Sequence, residues 1–162
     1  MKTLFILRHA KSSWDNRDLS DFERPLNERG LKAAPLMGRV MKENQFLPDL
    51  IVSSPANRAR QTAESVKESA GIKSEILFDE RIYEASPARL LEVVADQTDT
   101  ADSILLVGHN PGFEGLIRFL TGKTEPMPTA ALAVIDLSTN NWSEINSASG
   151  NLRLLIRPKE IQ

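Results

Sequence analysis

A three-layer α/β/α sandwich around a mostly parallel sheet is the fold class this sequence predicts, and two patterns predict it. Short apolar runs bounded by polar or turn-forming residues recur at Leu4-Phe5-Ile6-Leu7, Leu50-Ile51-Val52 and Ile104-Leu105-Leu106-Val107. Between them lie longer stretches whose apolar residues return every three or four positions. Strands buried on both faces read as continuous apolar runs, and amphipathic helices are what cover the two faces of such a sheet. With 162 residues, 41% of them hydrophobic, one domain spanning 1–162 has enough core to fold without disulfide or metal staples.

In chain order, the first strand runs through Leu4–Leu7 and stops at Arg8-His9. Residues 12–24 are polar, carry Asp15, Asp18, Asp21 and Glu23, and read as a surface loop. Pro25-Leu26-Asn27 then opens a helix capped by Asn27, with Leu31, Ala34, Met37, Val40 and Met41 on its apolar face through about Glu43. Pro35 is expected to distort the start of that helix. Pro48-Asp49 breaks the chain before the second strand, which ends at Ser53-Ser54-Pro55. Ala59, Thr62, Ala63, Val66 and Ala70 give a narrow stripe on a helix that Gly71 stops.

A short strand is expected at Ile76-Leu77-Phe78 and a helix over 87–95. The strand ending at Val107 is followed by Gly108-His109-Asn110-Pro111 and a helix over 113–120. The runs at 132–137 and 152–156 read as a hairpin closing one edge of the sheet.

Composition excludes several classes of function. The net charge of -2 arises from mixed signs without a basic block, so neither nucleic acid nor an anionic membrane surface is an expected partner. The absence of cysteine removes disulfides, thiolate catalysis and cysteine-ligated zinc. The first apolar run is too short for a signal-peptide core or a membrane span, so a cytoplasmic protein is expected.

Chemistry is expected at the strand ends, because open α/β folds bind ligands outside the carboxyl edge of the sheet. His9 and His109 are the only histidines, and each directly follows a predicted strand. If those strands are neighbours, about 5 Å apart, both imidazoles face one site. Arg58 falls at the start of a helix on the same edge. A lone strand-end histidine is more often a satisfied structural residue, but an arginine set against the positive end of a helix needs an anion to explain it. A metal site built from His9, His109 and nearby aspartates is the rival reading, which would have to hold its cation beside Arg8.

Arg8-His9, Pro25-Leu26-Asn27-Glu28-Arg29-Gly30, Ser54-Pro55-Ala56-Asn57-Arg58-Ala59-Arg60-Gln61-Thr62 and Gly108-His109-Asn110-Pro111 together resemble the histidine phosphatase (phosphoglycerate mutase-like) superfamily. The form Arg8-His9-Ala10-Lys11-Ser12-Ser13-Trp14 and the small size are most similar to the SixA-type phosphohistidine phosphatases. The resemblance implies His9 as nucleophile, with Arg8, Arg58 and His109 binding the phosphoryl group, and neither metal nor other cofactor. Fixed guanidiniums suit that work, since phosphoryl transfer is governed by positioning and by charge around the equatorial oxygens. Ser12 is a further candidate for the phosphate or for the entry loop. Two residues depart from the family pattern: Ala10 stands where Gly is usual, and Asp15 stands where the mutases have an Asn that binds phosphate. An acid at that place would repel phosphate, so Asp15 is expected to point outward.

The proton donor stays open. Glu80 lies in the segment where mutases and many small-molecule phosphatases place an acid, Glu84 is close by, and a salt bridge from Glu80 to Arg81 is the structural alternative. An imidazole leaving group needs no such acid near neutral pH, whereas an alkoxide does. The expected function is therefore a phosphoric monoester or phosphoramidate hydrolase acting on phosphohistidine of a protein. The alternatives are a small-molecule phosphomonoesterase using Glu80, and a phosphate-binding module without turnover.

Overall fold

The computed structural model describes residues 1–161. Its strands are β1 (Lys2–Arg8), β2 (Leu50–Ser53), β3 (Ile76–Phe78), β4 (Ser103–Gly108), β5 (Leu132–Leu137) and β6 (Gly150–Ile156). Its helices are α1 (Glu28–Glu43), α2 (Asn57–Ala70), α3 (Pro87–Ala95) and α4 (Gly112–Thr121). The strands form one sheet in the order β3-β2-β4-β1-β5-β6. The first four in that order run parallel, while β5 pairs antiparallel with both β1 and β6. The mostly parallel sheet expected from the sequence thus carries an antiparallel hairpin on one side, with β6 at the edge.

Both faces of the central strands are buried, which is why they read as unbroken apolar runs. Leu4 and Ile6 of β1 pack with Ile104 and Leu106 of β4 against α3, α4 and Trp142. Phe5 and Leu7 pack with Leu105 and Val107 against α1 and α2 on the opposite face. At the amino end of the sheet the buried Lys2 satisfies its ammonium with the carbonyls of Asp99 and Ala101, at 2.7 and 2.9 Å. The indole N–H of Trp142 donates to the same Ala101 carbonyl.

The helix boundaries follow local chemistry. Asn27 accepts from the N–H of Gly30 at 3.0 Å and so caps α1, and Ser86 caps α3 in the same way. Gly71, with φ at 72°, ends α2 in the left-handed region that a glycine enters at no steric cost. Two expectations for α1 are corrected. Leu31 is 57% exposed and stands outside the apolar face. Pro35 lies in the body of the helix, which runs through it without interruption. The residues at 12–24 are also more than a surface loop: Ser12 and Arg24 are buried, a three-residue 3-10 turn forms at Asp21–Glu23, and Ser12 bridges to Leu26. No helix among the described residues is long and apolar enough to cross a membrane.

Gly30 seats α1 on the chain that leaves β1. A methyl group there would strike the backbone of Lys11, two residues past His9, and a backbone carbonyl cannot rotate aside. Gly30→Ala is therefore expected to cost about 1–3 kcal/mol despite its better helix propensity, read as a lower urea midpoint with an unchanged m-value. A variant as stable as the parent would show that the contact yields freely.

Candidate active site

The register of the sheet builds the site. In the β1–β4 ladder Arg8 stands opposite Gly108, so the next residue of each strand, His9 and His109, emerges from the same edge side by side. Their ring centroids are 5.1 Å apart, and the His9 N–H donates to the Gly108 carbonyl at 2.9 Å. From the neighbouring strand end, Ser54 donates its N–H to Val107 at 2.9 Å and sets its hydroxyl 2.7 Å from His109 Nε2. Ser54 Oγ also accepts from the N–H of Ala56, which fixes the hydroxyl at the end of β2 beside His109. The Nδ1 of His109 is buried and has no partner among the described residues.

His9 is oriented by its neighbour. Nδ1 lies 2.7 Å from the Ala10 carbonyl, an acceptor only, so Nδ1 carries the hydrogen and Nε2 keeps its lone pair. Burial lowers the pKa of His9 to about 4, with Arg58, Arg8 and Arg24 pushing the same way. His109 is lowered to about 3, again chiefly by burial and then by His9 and Arg58. Both imidazoles are thereby held neutral at pH 7.

Three arginines act on this point. Arg8 is half-buried and donates to the Met127 carbonyl at 3.0 Å; burial lowers its pKa, while Glu114 works in the opposite direction. Glu114 is held in turn by Asn110 and by the N–H of Met127, so one small network fixes the carbonyl that fixes Arg8. Arg58 is buried and donates to the Asp21 carbonyl at 2.7 Å and to its carboxylate at 3.0 Å. Arg24, also buried, donates to Asp21 at 2.8 Å and to the hydroxyl of Ser12, and its guanidinium lies over the exposed Trp14 ring.

Asp21 joins the two layers of this arrangement. Its carboxylate takes bonds from Arg58, Arg24 and the Tyr83 hydroxyl, the last at 2.6 Å. These donors hold its pKa at about 2 against the opposing effect of desolvation. Tyr83 in turn sets its ring edge against His109, centroid to centroid 5.6 Å. Sequence reasoning missed Asp21, Arg24, Tyr83 and Ser54. The available signal was the run of polar residues on the first turns of α2, where Asn57, Arg58 and Gln61 grip Glu23, Asp21 and Leu26 of the preceding loop.

Of the residues singled out beforehand, Arg8, His9, Arg58 and His109 come together. Ser12 is bonded to Arg24 and belongs to the entry loop. Asp15 is exposed, as its charge requires. Glu80 is exposed at the start of a 3-10 turn and makes no side-chain hydrogen bond among the described residues. A salt bridge from Glu80 to Arg81 is not what forms: Arg81 pairs with Asp79 at 2.8 Å and Asp96 at 2.7 Å. No group of three or more metal-ligating side chains occurs among the described residues, and the two histidines stand between guanidiniums. The arrangement suits a tetrahedral oxyanion: an imidazole lone pair for attack, guanidinium forks for the oxygens, and no carboxylate but Asp21 among the contacts of Arg58.

Known proteins share this arrangement of sequence and fold. The phosphohistidine phosphatase SixA of Escherichia coli is 30% identical over 151 residues, covering 86% of this chain and 91% of that protein. The structure of a protein histidine phosphatase SixA complexed with tungstate superposes with a TM-score of 0.81 at 25% identity, covering 99% of each chain. A candidate phosphohistidine phosphatase SixA from Agrobacterium tumefaciens gives a TM-score of 0.84 at 30% identity, over 97% of this chain and 98% of its own. The family model for the histidine phosphatase superfamily, branch 1, matches residues 4–92, the half that carries Arg8, His9 and Arg58. With that match, and with relatives of nearly its own length, the chain belongs to the histidine phosphatase superfamily.

Proposed function

We propose that the chain is a cytoplasmic, metal-independent phosphatase that carries the phosphoryl group on His9, with phosphohistidine of a protein as substrate. The observation that carries the reading is the pair of imidazoles 5.1 Å apart at adjacent strand ends, the first with Nδ1 bonded to a carbonyl. That bond supports the reading by leaving on Nε2 of His9 the lone pair a nucleophile needs.

In the first step the Nε2 lone pair forms a bond to phosphorus, and the bond from phosphorus to the leaving nitrogen breaks with its electron pair. The leaving imidazole already carries a proton on its other nitrogen and departs neutral, so no acid has to deliver one. Arg8 and Arg58 match the equatorial oxygens with rigid, permanently charged forks. A bound dianion raises the lowered pKa of His109, and the protonated ring donates Nδ1–H to one oxygen. In the second step water attacks the phosphorus, phosphate takes the proton of that water, and His9 is released neutral.

A protein substrate is supported by how little chain covers the cleft. Between α2 and α3 there is only β3 and one 3-10 turn, and Tyr83 is the residue of that segment that reaches the histidines. The second reading, a small phosphomonoester, rests on Glu80. It lines a cavity of about 380 Å³ with Glu84 and with Tyr83, whose ring edge stands against His109.

Phosphate release from a phosphohistidine-bearing protein is expected to persist in EDTA and to fall by about 10³-fold or more in His9→Ala. A wild-type rate in that variant overturns the scheme. Glu80→Gln is expected to leave turnover of the phosphohistidine protein within about twofold, while a loss on the order of 10²-fold on aryl or sugar phosphates alone marks Glu80 as an acid for small esters.

The pH dependence follows from His9. Only its neutral form attacks, and with a pKa near 4 that form persists well below neutrality. The enzyme's contribution to kcat/KM should be flat from about pH 7 to about pH 5 and fall roughly tenfold per unit below about pH 4, once the substrate's own ionisation is titrated separately. An acid limb between about pH 6 and 7 would show an imidazole of ordinary basicity.

A further inference from the structure

Beside the phosphoryl site, on the other flank of the segment leaving β1, lies a second concavity of about 320 Å³. Lys11, Arg29, Arg157 and Lys159 line it, with Glu160 as the one carboxylate and with Ala33 and Pro128 supplying apolar wall. None of Arg8, His9, Arg58 and His109 belongs to its lining.

Structure accounts for one of these cations. Arg157 bonds the Pro126 carbonyl and pairs with Glu125 at 3.3 Å and Glu160 at 3.6 Å, so it ties the end of β6 to the preceding loop. Lys11, Arg29 and Lys159 have no carboxylate within 4.0 Å among the described residues. Their side chains are not needed where their segments meet, because that joint is made by backbone: the Asn27 N–H donates to the Lys11 carbonyl at 3.0 Å, and Gly30 packs on the same carbonyl. A chain with a net charge of -2 therefore gathers four cations from three segments into one concave volume. Like charges facing a hollow with low-dielectric walls focus a positive potential there.

We infer that this cavity is a binding site for a small organic polyanion, separate from the phosphoryl site. Three cations without partners call for more than one negative group. The apolar wall calls for a carbon skeleton, and the volume falls at the lower end of the range for small-molecule sites, about 300–1,000 Å³. The site abuts the catalytic edge: Thr129 and Pro128 lead into Ala130, whose N–H donates to the carbonyls of both Arg8 and His9 at 3.1 Å.

Calorimetric titration of the full chain at low ionic strength with two probes, citrate and adenosine diphosphate, tests the assignment without any turnover. At least one probe is expected to bind, and the R29E/K159E double variant to bind it about tenfold or more weakly, with its melting temperature as the check on folding. Citrate alone would mark a carboxylate ligand, and the diphosphate alone a phosphate-bearing one. If the charge reversal unfolds the protein, R29Q/K159Q takes its place with the same expected direction. Binding of neither probe overturns the proposal. So does binding that survives the substitutions unchanged, which would place the anion elsewhere, the phosphoryl site included. Because His9 and Arg58 are left intact, this outcome is independent of whether the catalytic scheme holds.

Discussion

Like charges forced together at one end of the sheet are the constraint on which the site depends. Arg58, Arg8 and Arg24 all lower the basicity of His9, and Arg58 and Arg8 that of His109, so the cluster is electrostatically unfavourable without an anion. Main-chain acceptors hold it in place. Met127 takes Arg8, Ala10 takes His9, and Asp21 takes Arg58 through both carbonyl and carboxylate. A carbonyl fixes a donor without cancelling its charge, so the field at the strand ends survives. Asp21 is the exception, since its carboxylate neutralises part of that field. In the proposed reaction a phosphoryl group competes with this internal anion for Arg58.

The layers are coupled at this end by few atoms. Thr62 lies on α2, buried, where its hydroxyl donates to the Arg58 carbonyl at 2.7 Å and accepts from the Ala10 N–H at 3.0 Å. One side chain thus ties the turn that presents Arg58 to the segment that orients His9. On the other side Ala130 donates its N–H to the carbonyls of Arg8 and His9, where β5 begins. His9, the proposed nucleophile, sits between two neighbours that hold the backbone on either side of it, and this precision is what positioning chemistry requires.

Much of this was legible in the sequence, for reasons visible at particular residues. Apolar runs ending at Arg8-His9 and at Gly108-His109 predicted two strand ends, because a parallel strand buried on both faces has no polar position to blur its boundary, whereas their adjacency is set by pairing that the pattern does not encode. The α2 helix was readable through its small apolar stripe and the glycine that ends it. Leu31 misled because its spacing fits the apolar face, whereas burial depends on what lies opposite. Pro35 misled because its loss of one hydrogen bond is absorbed by a helix packed along its length. Asp21 could not be singled out from Asp15 and Asp18, since all three occupy the same polar stretch. What distinguishes it is Arg58, which lies thirty-seven positions away in the chain, and such a contact leaves no local pattern.

The two histidines show how one environment can suit the different tasks proposed for them. Both are withdrawn from solvent beside guanidiniums and both have lowered pKa values, so environment alone does not separate the proposed nucleophile from the proposed donor. Their hydrogen bonds do. The acceptor at Ala10 leaves His9 with a free lone pair on Nε2, while the hydroxyl of Ser54 occupies Nε2 of His109 and leaves its Nδ1 without a partner among the described residues. A dianion entering between them stabilises a proton on either ring, but only His109 gains from keeping one. For His9, protonation would remove the reacting electron pair, and the strong depression of its pKa by burial opposes that loss. The carbonyl of Ala10 and the hydroxyl of Ser54, two groups that carry no net charge, therefore make two otherwise similar rings different, as the proposed roles require.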